Sequence, residues 1–401
     1  MKVSSAYPPC GIAAADLDGD GLPEVAVGST AGRVYVFDGE GRLLPGWPVR
    51  TGGRVQSKPA ASDIDGDGRI DLVVLDGETG LLWALDGGGR SLSGWPVQVG
   101  ASSGVIGPSI TSGDSGAVSI ITPCSGGIEC LDSRGSRLWT RRFTGSVTAS
   151  SAVSSRHGMV ATITEYGFLY LNRLCDGEAV EGFPFLAGQR SSWGAPVIAD
   201  MDDDGSPEIL FTAYDIGQSV NVYCLESTGV ISQGFPVRLP AYLSYSSPVA
   251  ADADGDGDLE IFLCCSGGEG TLWALDHHGE VLSGWPAAPS VQMEGSPVVA
   301  DLDADGECEV LAASGSAAGG LFCYSIVGDS LAEYTQWGTG PARTDSPAVM
   351  DLDGDGAPEI LLLTAGGSLH AWTGTEAGGE APWPQLNHDR LNSSCQCGGP
   401  P

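Results

Sequence analysis

Six times in 401 residues an apolar run breaks into the same acidic loop and then resumes: "ADLDGDGLPEVAVG", "SDIDGDGRIDLVV", "ADMDDDGSPEILF", "ADADGDGDLEIFL", "ADLDADGECEVLA" and "MDLDGDGAPEILL". The loops begin at Asp16, Asp63, Asp200, Asp252, Asp301 and Asp351, at spacings of 47, 137, 52, 49 and 50 residues. A fixed period of this size marks a repeat architecture and limits the fold more than any other property of the chain. The long interval holds two further units, residues 104–143 and 145–185, which keep the hydrophobic rhythm but have "SGDSGAVS" and "VSSRHGMV" in place of the acidic loop. Eight units follow, starting near residues 10, 57, 105, 147, 194, 246, 295 and 345. They form one domain over residues 1–390, with a Cys/Gly/Pro-rich tail at 391–401.

Each unit repeats one order: a short apolar strand ("SPVVAD"), the acidic loop, a second strand ("EVAVG"), a Gly turn, a third strand ("GRVYVFD", "GTLWALD"), and a fourth ending in "GWPV" or "GFPV". Val, Ile, Leu and aromatic residues alternating between Gly/Asp turns read as strands, with no helical period to compete. Four short strands per unit is the size of one propeller blade, and radial stacking protects the edges that separate meanders would expose. The expected fold is all-β: a β-propeller of four-stranded blades, eight in number, with seven plus a split or extra unit as the alternative. The recurring ring of the GWP/GFP turn (Trp47, Trp95, Phe183, Phe235, Trp285, and Trp383 in a drifted copy) fills the wedge between blades on this reading, in preference to forming a row of sugar platforms. "APWPQL" is a candidate fourth strand for the last blade. Closure of the ring then depends on packing of the last blade against the first.

In the first loop Asp16, Asp18 and Asp20 occupy positions 1, 3 and 5, Gly21 supplies the sharp turn, Leu22 offers a backbone carbonyl at position 7, and Glu24 stands at position 9. Equivalent sets are Asp63, Asp65, Asp67, Arg69 and Asp71; Asp200, Asp202, Asp204, Ser206 and Glu208; and Asp252, Asp254, Asp256, Asp258 and Glu260. The last two are Asp301, Asp303, Asp305, Glu307 and Glu309, and Asp351, Asp353, Asp355, Ala357 and Glu359. Oxygen-only ligands at this density suit Ca²⁺, about six ions in all, whereas softer metals prefer nitrogen or sulfur. These are not helix–loop–helix sites, because position 12 of the first loop is Val27 and a strand begins where a helix would be needed.

The formal net charge of −33 sets up a field that repels nucleic acid and anionic membranes. No apolar window is long enough for a spanning helix, and "MKVSSAYPPCG" lacks the apolar core of a signal peptide. Eleven cysteines without paired CxxC spacing favour disulfides in an oxidising compartment over structural zinc, with buried thiols as the alternative. Cys308 and Cys323 are candidates to face each other, and a bond from Cys10 to Cys395 or Cys397 would clasp the termini.

From residue 10 to residue 390 the chain resembles the calcium-binding FG-GAP or VCBS propeller repeats of integrin α-subunit heads and secreted bacterial proteins. The resemblance is carried by DxDGDGxx[DE] between apolar strands, then by "GRVYVFDGEGRLLPGWPV" and "GTLWALDHHGEVLSGWPA". It implies calcium ions bracing the first-to-second strand loops on one face, with partners meeting the opposite face, and it does not imply catalysis. Integrin propellers have seven blades, one fewer than the units counted here. The five histidines form no recurring pattern with acids, and neither GxSxG nor HExxH occurs. The expected function is an extracellular or cell-surface, calcium-stabilised binding or adhesion scaffold for a protein or glycan. The alternatives are a polysaccharide lyase, which would need a non-repeated cluster of basic and carboxylate groups on the channel, and a structural spacer. Specificity is expected in the fourth-to-first strand connections, which carry Arg54, Arg190, Trp193, Tyr242, Tyr245, Met293, Trp337 and Arg343.

Overall fold

The computed structural model describes residues 11–100, 106–112, 117–188, 190–191, 193–215, 219–241, 245–266, 271–288, 291–293, 295–317, 319–332, 334–340, 346–373, 379, 381–385, 388–390 and 393–396. Among them every regular element is a strand, and no helix is long and apolar enough to cross a membrane. The strands form eight sheets, each built on an antiparallel meander in sequence order, with Arg190–Ser191 and the parallel Cys395–Gln396 added to the fifth, arranged as an eight-bladed β-propeller. The innermost strands are Ala13–Ala15, Ala60–Ser62, Ser109–Ser112, Ala152–Ser154, Val197–Ala199, Val249–Ala251, Val298–Ala300 and Ala348–Met350. Their small and β-branched side chains let eight backbones converge around an axial channel. The sixth and eighth blades have three named strands each, and a bridge between Leu272 and Ala287 marks the fourth position of the sixth.

The core runs from seam to seam between neighbouring blades. Val34, Val36 and Trp47 of the first blade pack on Ala61, Leu72 and Val74 of the second. At the closing seam Val25, Val27, Tyr35 and Phe37 of the first blade pack on Leu361, Leu363 and Leu369 of the eighth. Closure by blade packing, expected from the strand count, is therefore what holds this seam.

The wedge reading of the aromatic turns is also upheld. Trp47, Trp95 and Trp285 are buried, and each indole N–H donates to a carbonyl of the following blade: Gly87 at 2.9 Å, Ser133 at 3.2 Å and Ile326 at 2.7 Å. Trp139 makes the same bond, to Leu174 O at 2.9 Å, although its blade lacks the GWP signature. The glycine before each ring is needed for two reasons. Gly46, Gly94, Gly182, Gly234 and Gly284 have φ of 96°, 91°, 92°, 93° and 88°, and a Cβ at Gly284 would run into the carbonyl of Val327 in the next blade. Gly284→Ala is expected to lower stability by about 2 kcal/mol or more, combining left-handed strain with overpacking. An unchanged denaturant midpoint for this variant would refute the close-approach argument.

A belt of buried serines adds polar links between the blades. Ala195 N–H donates to Ser247 Oγ, Ser247 N–H to Ser296 Oγ and Ser296 N–H to Ser346 Oγ, at 2.9, 2.8 and 2.9 Å. These serines belong to the repeated Ser-Pro-[VA] that opens an inner strand, where the residue before proline is held extended. In the second blade the same position is Lys58.

The segment after the eighth blade departs from expectation. Among the described residues after the eighth blade, Trp383, Pro384, Arg390 and residues 393–396 form no outer strand; they lie along the axis and pair with inner strands. Val299 and Trp383 exchange N–H···O bonds of 3.0 and 3.1 Å, and Val349 N–H donates to Pro384 O at 2.8 Å. Farther along, Ala61 N–H donates to Arg390 O, Val153 N–H to Ser393 O and Ile198 N–H to Ser394 O, at 2.7, 2.8 and 3.1 Å. Cys395–Gln396 then pairs parallel to Val197–Ala199. Inner-strand N–H groups that face the channel thus find partners, as buried backbone donors must. The ring of Trp383 is fully buried, meets His388 edge-on and joins the core of the fifth to seventh blades, without the indole N–H bond to a following blade that Trp47, Trp95 and Trp285 make.

The disulfide expectation is largely overturned. Cys124, Cys130, Cys175, Cys224, Cys264, Cys265, Cys308 and Cys323 form no disulfide, and all but Cys175 are buried. Cys323 lies opposite Leu311 in its sheet, so it is not paired across the hairpin with Cys308. Most of these thiols serve as small apolar core groups. Cys395 alone among the described cysteines is disulfide-bonded, and Cys10 and Cys397 lie outside the described residues.

Candidate metal-binding loops and the axial channel

Each acidic loop is folded by its own carboxylates. In the first, Asp16 accepts hydrogen bonds from Gly19 N–H at 2.7 Å and Gly21 N–H at 3.1 Å, and Asp18 accepts from Asp20 N–H at 3.1 Å. Asp20 accepts from Leu22 N–H at 2.9 Å. Glu24, the first residue of the second strand, is buried and reaches back to Leu17 N–H at 2.7 Å. The same reach recurs from Asp71 to Ile64, Glu208 to Met201, Glu260 to Ala253, Glu309 to Leu302 and Glu359 to Leu352, at 2.7–3.0 Å.

These bonds leave oxygens converging. Positions 1, 3 and 9 each bring one oxygen within 4.8 Å of the others in Asp16/Asp18/Glu24, Asp63/Asp65/Asp71, Asp200/Asp202/Glu208, Asp252/Asp254/Glu260 and Asp301/Asp303/Glu309. Asp351, Asp353 and Glu359 sit in a loop with the same internal bonds. The position-5 carboxylates Asp20, Asp67, Asp204, Asp256, Asp305 and Asp355 each spend one oxygen on the position-7 N–H. Those N–H groups belong to Leu22, Arg69, Ser206, Asp258, Glu307 and Ala357.

Two observations test whether a cation fits. Asp200 Oδ1, Asp301 Oδ1 and Glu359 Oε1 are buried without a hydrogen-bond partner, which is costly for a carboxylate oxygen. Burial, with added repulsion from the loop aspartates, also pushes Glu24, Asp71, Glu260 and Glu309 up to about 7 and Glu208 up to about 8, and raises Glu359. Ordinary surface carboxylates would not behave this way. Hard oxygens in a partly buried, like-charged cluster are the donor set of a hard divalent cation, so the residues fit the group. Asp301 is more buried than its counterparts because Gly379, whose N–H donates to Asp301 O at 2.9 Å, lies against its side chain.

Inside the channel is a cluster that occurs once. Lys58 is buried and donates from Nζ to Asp389 O at 2.7 Å. Burial pushes Lys58 down to about 7, against the attraction of Asp389. Burial would raise Asp389, yet His388 beside it and two donors from Ser393, at 3.0 and 2.7 Å, hold it below the usual carboxylate range. The non-repeated basic and acidic cluster that a lyase would require is therefore present, but its groups are bonded to one another in a channel occupied by the chain itself. Sequence reasoning missed Lys58 and Asp389. The available signal was a lysine where other units carry serine, glycine or alanine before the proline of "KPA".

The residues nominated for ligand contact differ in their surroundings. Arg54 is exposed and faces Glu78 at 3.7 Å; Arg190 begins a two-residue strand opposite Tyr214. Trp193 and Tyr245 are 47% and 38% exposed. No hydrogen bond, ion pair or ring contact joins any two of Arg54, Arg190, Trp193 and Tyr245 among the described residues. Met293 is corrected: it is fully buried in the core between blades and bridges to Ser314, so no ligand can touch it. Trp337 pairs with Gly320 in the fourth strand of the seventh blade. Tyr242 and Arg343 lie outside the described residues. His277 and His278 lie together in one turn with their rings tilted to each other, and His277 Nδ1 is 3.5 Å from Asp258.

A family model described as FG-GAP-like repeat matches residues 16–74, 200–263 and 301–362. No curated protein matches in sequence. Among solved structures, the chain is similar to the V. cholerae biofilm matrix protein Bap1, with TM-score 0.60 at 12% identity over 96% of this chain and 90% of that one. It is also similar to the computationally designed Ika8 protein, with TM-score 0.57 at 14% identity over 92% and 97%. A third likeness is to BBS1N in its complex with ARL6DN, with TM-score 0.52 at 12% identity over 95% and 96%.

Proposed function

Because this chain is a propeller built of FG-GAP-like repeats, we propose that it is an extracellular, calcium-braced binding scaffold that engages a protein or glycan without altering it. The observation that carries the reading is the recurrence of one three-oxygen cluster in register with the blades, where Ca²⁺ would neutralise the loop carboxylates and fix each first strand to its second. Position 1, 3, 5 and 9 carboxylates and the position-7 carbonyl would supply the ligands. The fold shared with a biofilm matrix protein is consistent with such a scaffold.

Catalysis on a sugar chain would need the axial channel, and that space holds the C-terminal segment. Recognition is therefore assigned to the fourth-to-first strand connections, on the face opposite the acidic loops, with Trp193 and Tyr245 as the aromatic contacts. A glycan and protein array on the calcium-loaded chain tests this. Trp193→Ala with Tyr245→Ala is expected to weaken any array ligand at least about tenfold, with the chain still folding cooperatively in calcium because both residues are exposed and outside the core clusters. Full affinity in the double variant would remove this face from the proposal.

A further inference from the structure

The segment from Gly379 to Gln396 is bonded to the ring as a peptide ligand is bonded to a receptor. Most of its ring contacts described above are main-chain hydrogen bonds to the inner strands of the second, fourth, fifth, seventh and eighth blades. This is strand addition to sheet edges, with main-chain bonds giving affinity and a few side chains giving specificity. Two further anchors are the Trp383 ring, fully buried at the seventh blade, and the main-chain carbonyl of Asp389, held by the Lys58 side chain of the ring. The rest of the fit is imperfect. Trp383 Nε1, Gln385 Oε1, Arg390 Nε, Ser394 Oγ and Gln396 Oε1 are buried without hydrogen-bond partners, and all would regain water on leaving the channel. The inter-blade seams are closed by apolar packing that does not involve most of this segment, as at Val25 and Leu361.

We propose that the axial channel is a recognition groove for an extended polypeptide, and that the chain's own C-terminal segment is its resident, displaceable occupant. The groove takes an aromatic ring at one end and, at Lys58, a main-chain carbonyl, which the segment presents from a turn that Asp389 and Ser393 close between themselves.

The test uses the full chain with a protease-recognition sequence in place of residues 374–378, folded in calcium and then cut in reductant, because Cys395 is disulfide-bonded. After cutting, the segment is expected to remain bound and to exchange with a fluorescent synthetic peptide of residues 379–401, saturating at one per ring. A peptide with Trp383→Ala should compete at least about tenfold less well. Loss of the ring's calcium-stabilised melt on cutting, release without rebinding, or failure of the labelled peptide to exchange would each overturn the proposal. Hydrogen exchange on the unmodified protein gives a second reading that needs no variant. The amides of Ala61, Val153, Ile198, Val299 and Val349 should open together, at least about tenfold faster than the second-strand amides of Val25 and Leu263. Equal rates for the two sets would mark the segment as an inseparable part of the core.

Discussion

Chelation of divalent cations is expected to lower the melting midpoint by a large margin that millimolar calcium restores. A ligand that binds only the folded state stabilises it by RT ln(1 + [L]/Kd), roughly 2.7 kcal/mol per site at a hundredfold excess over Kd. Even two or three independently loaded loops would then match the net stability of an ordinary domain, about 5–15 kcal/mol. The pH dependence should invert as well. Without cation, the folded chain holds protons on Glu24, Asp71, Glu260 and Glu309 up to about pH 7, whereas unfolded Glu and Asp release theirs near 4.5 and 3.8. The folded state binds more protons in that window, so in chelator stability falls as pH rises from about 4.5 through 7. With calcium present the carboxylates must be ionised to bind, and stability rises over the same range. Differential scanning fluorimetry at several pH values decides this; superimposable curves in chelator and calcium would leave the loops as hydrogen-bonded turns with no ion to hold.

The second large effect is expected at Trp285. Its ring lies between the sixth and seventh blades, against Phe262 and Tyr324 at centroid distances of 6.1 Å each, and its N–H reaches Ile326 O at 2.7 Å. Truncation removes the ring, opens a cavity and strands a buried carbonyl, so Trp285→Ala should cost about 3–5 kcal/mol. Trp285→Phe keeps most of the volume but not the donor, and about 1–2 kcal/mol is expected. Equilibrium denaturation of both variants separates packing from hydrogen bonding. If Trp285→Ala unfolds at the midpoint of the parent chain, the ring is not a wedge.

The blades and the acidic loops were legible because each is written several times in register, so that local signals such as DxDGDG, alternation and the Gly turns confirm one another. The roles of Trp47, Trp95 and Trp285 followed for the same reason. What is written once was misread. Trp383 stands in a local pattern, "APWPQL", close to the repeated turn, and only its long-range pairing with Val299 shows that it lies along an inner strand. Lys58 looks like one more pre-proline residue until Asp389 is brought to it. Met293 sits in a polar connection yet points into the core, because chain direction within a loop is set by its neighbours and not by its composition. The cysteines were misjudged since a thiol in a strand reads the same whether it packs or bonds.

The pairing of Lys58 with Asp389 spans 331 residues, and that length bears on how the molecule is made. A chain emerging from its N-terminus makes seven blades while the apolar flank of the first, Val25, Val27 and Tyr35, awaits its partner in the eighth. Until then the ring is an open arc with two exposed ends, and the inner strand edges it presents are templates for aggregation. The segment that follows the eighth blade lies along those edges and covers them, so closing the ring and protecting it from self-association become the same event.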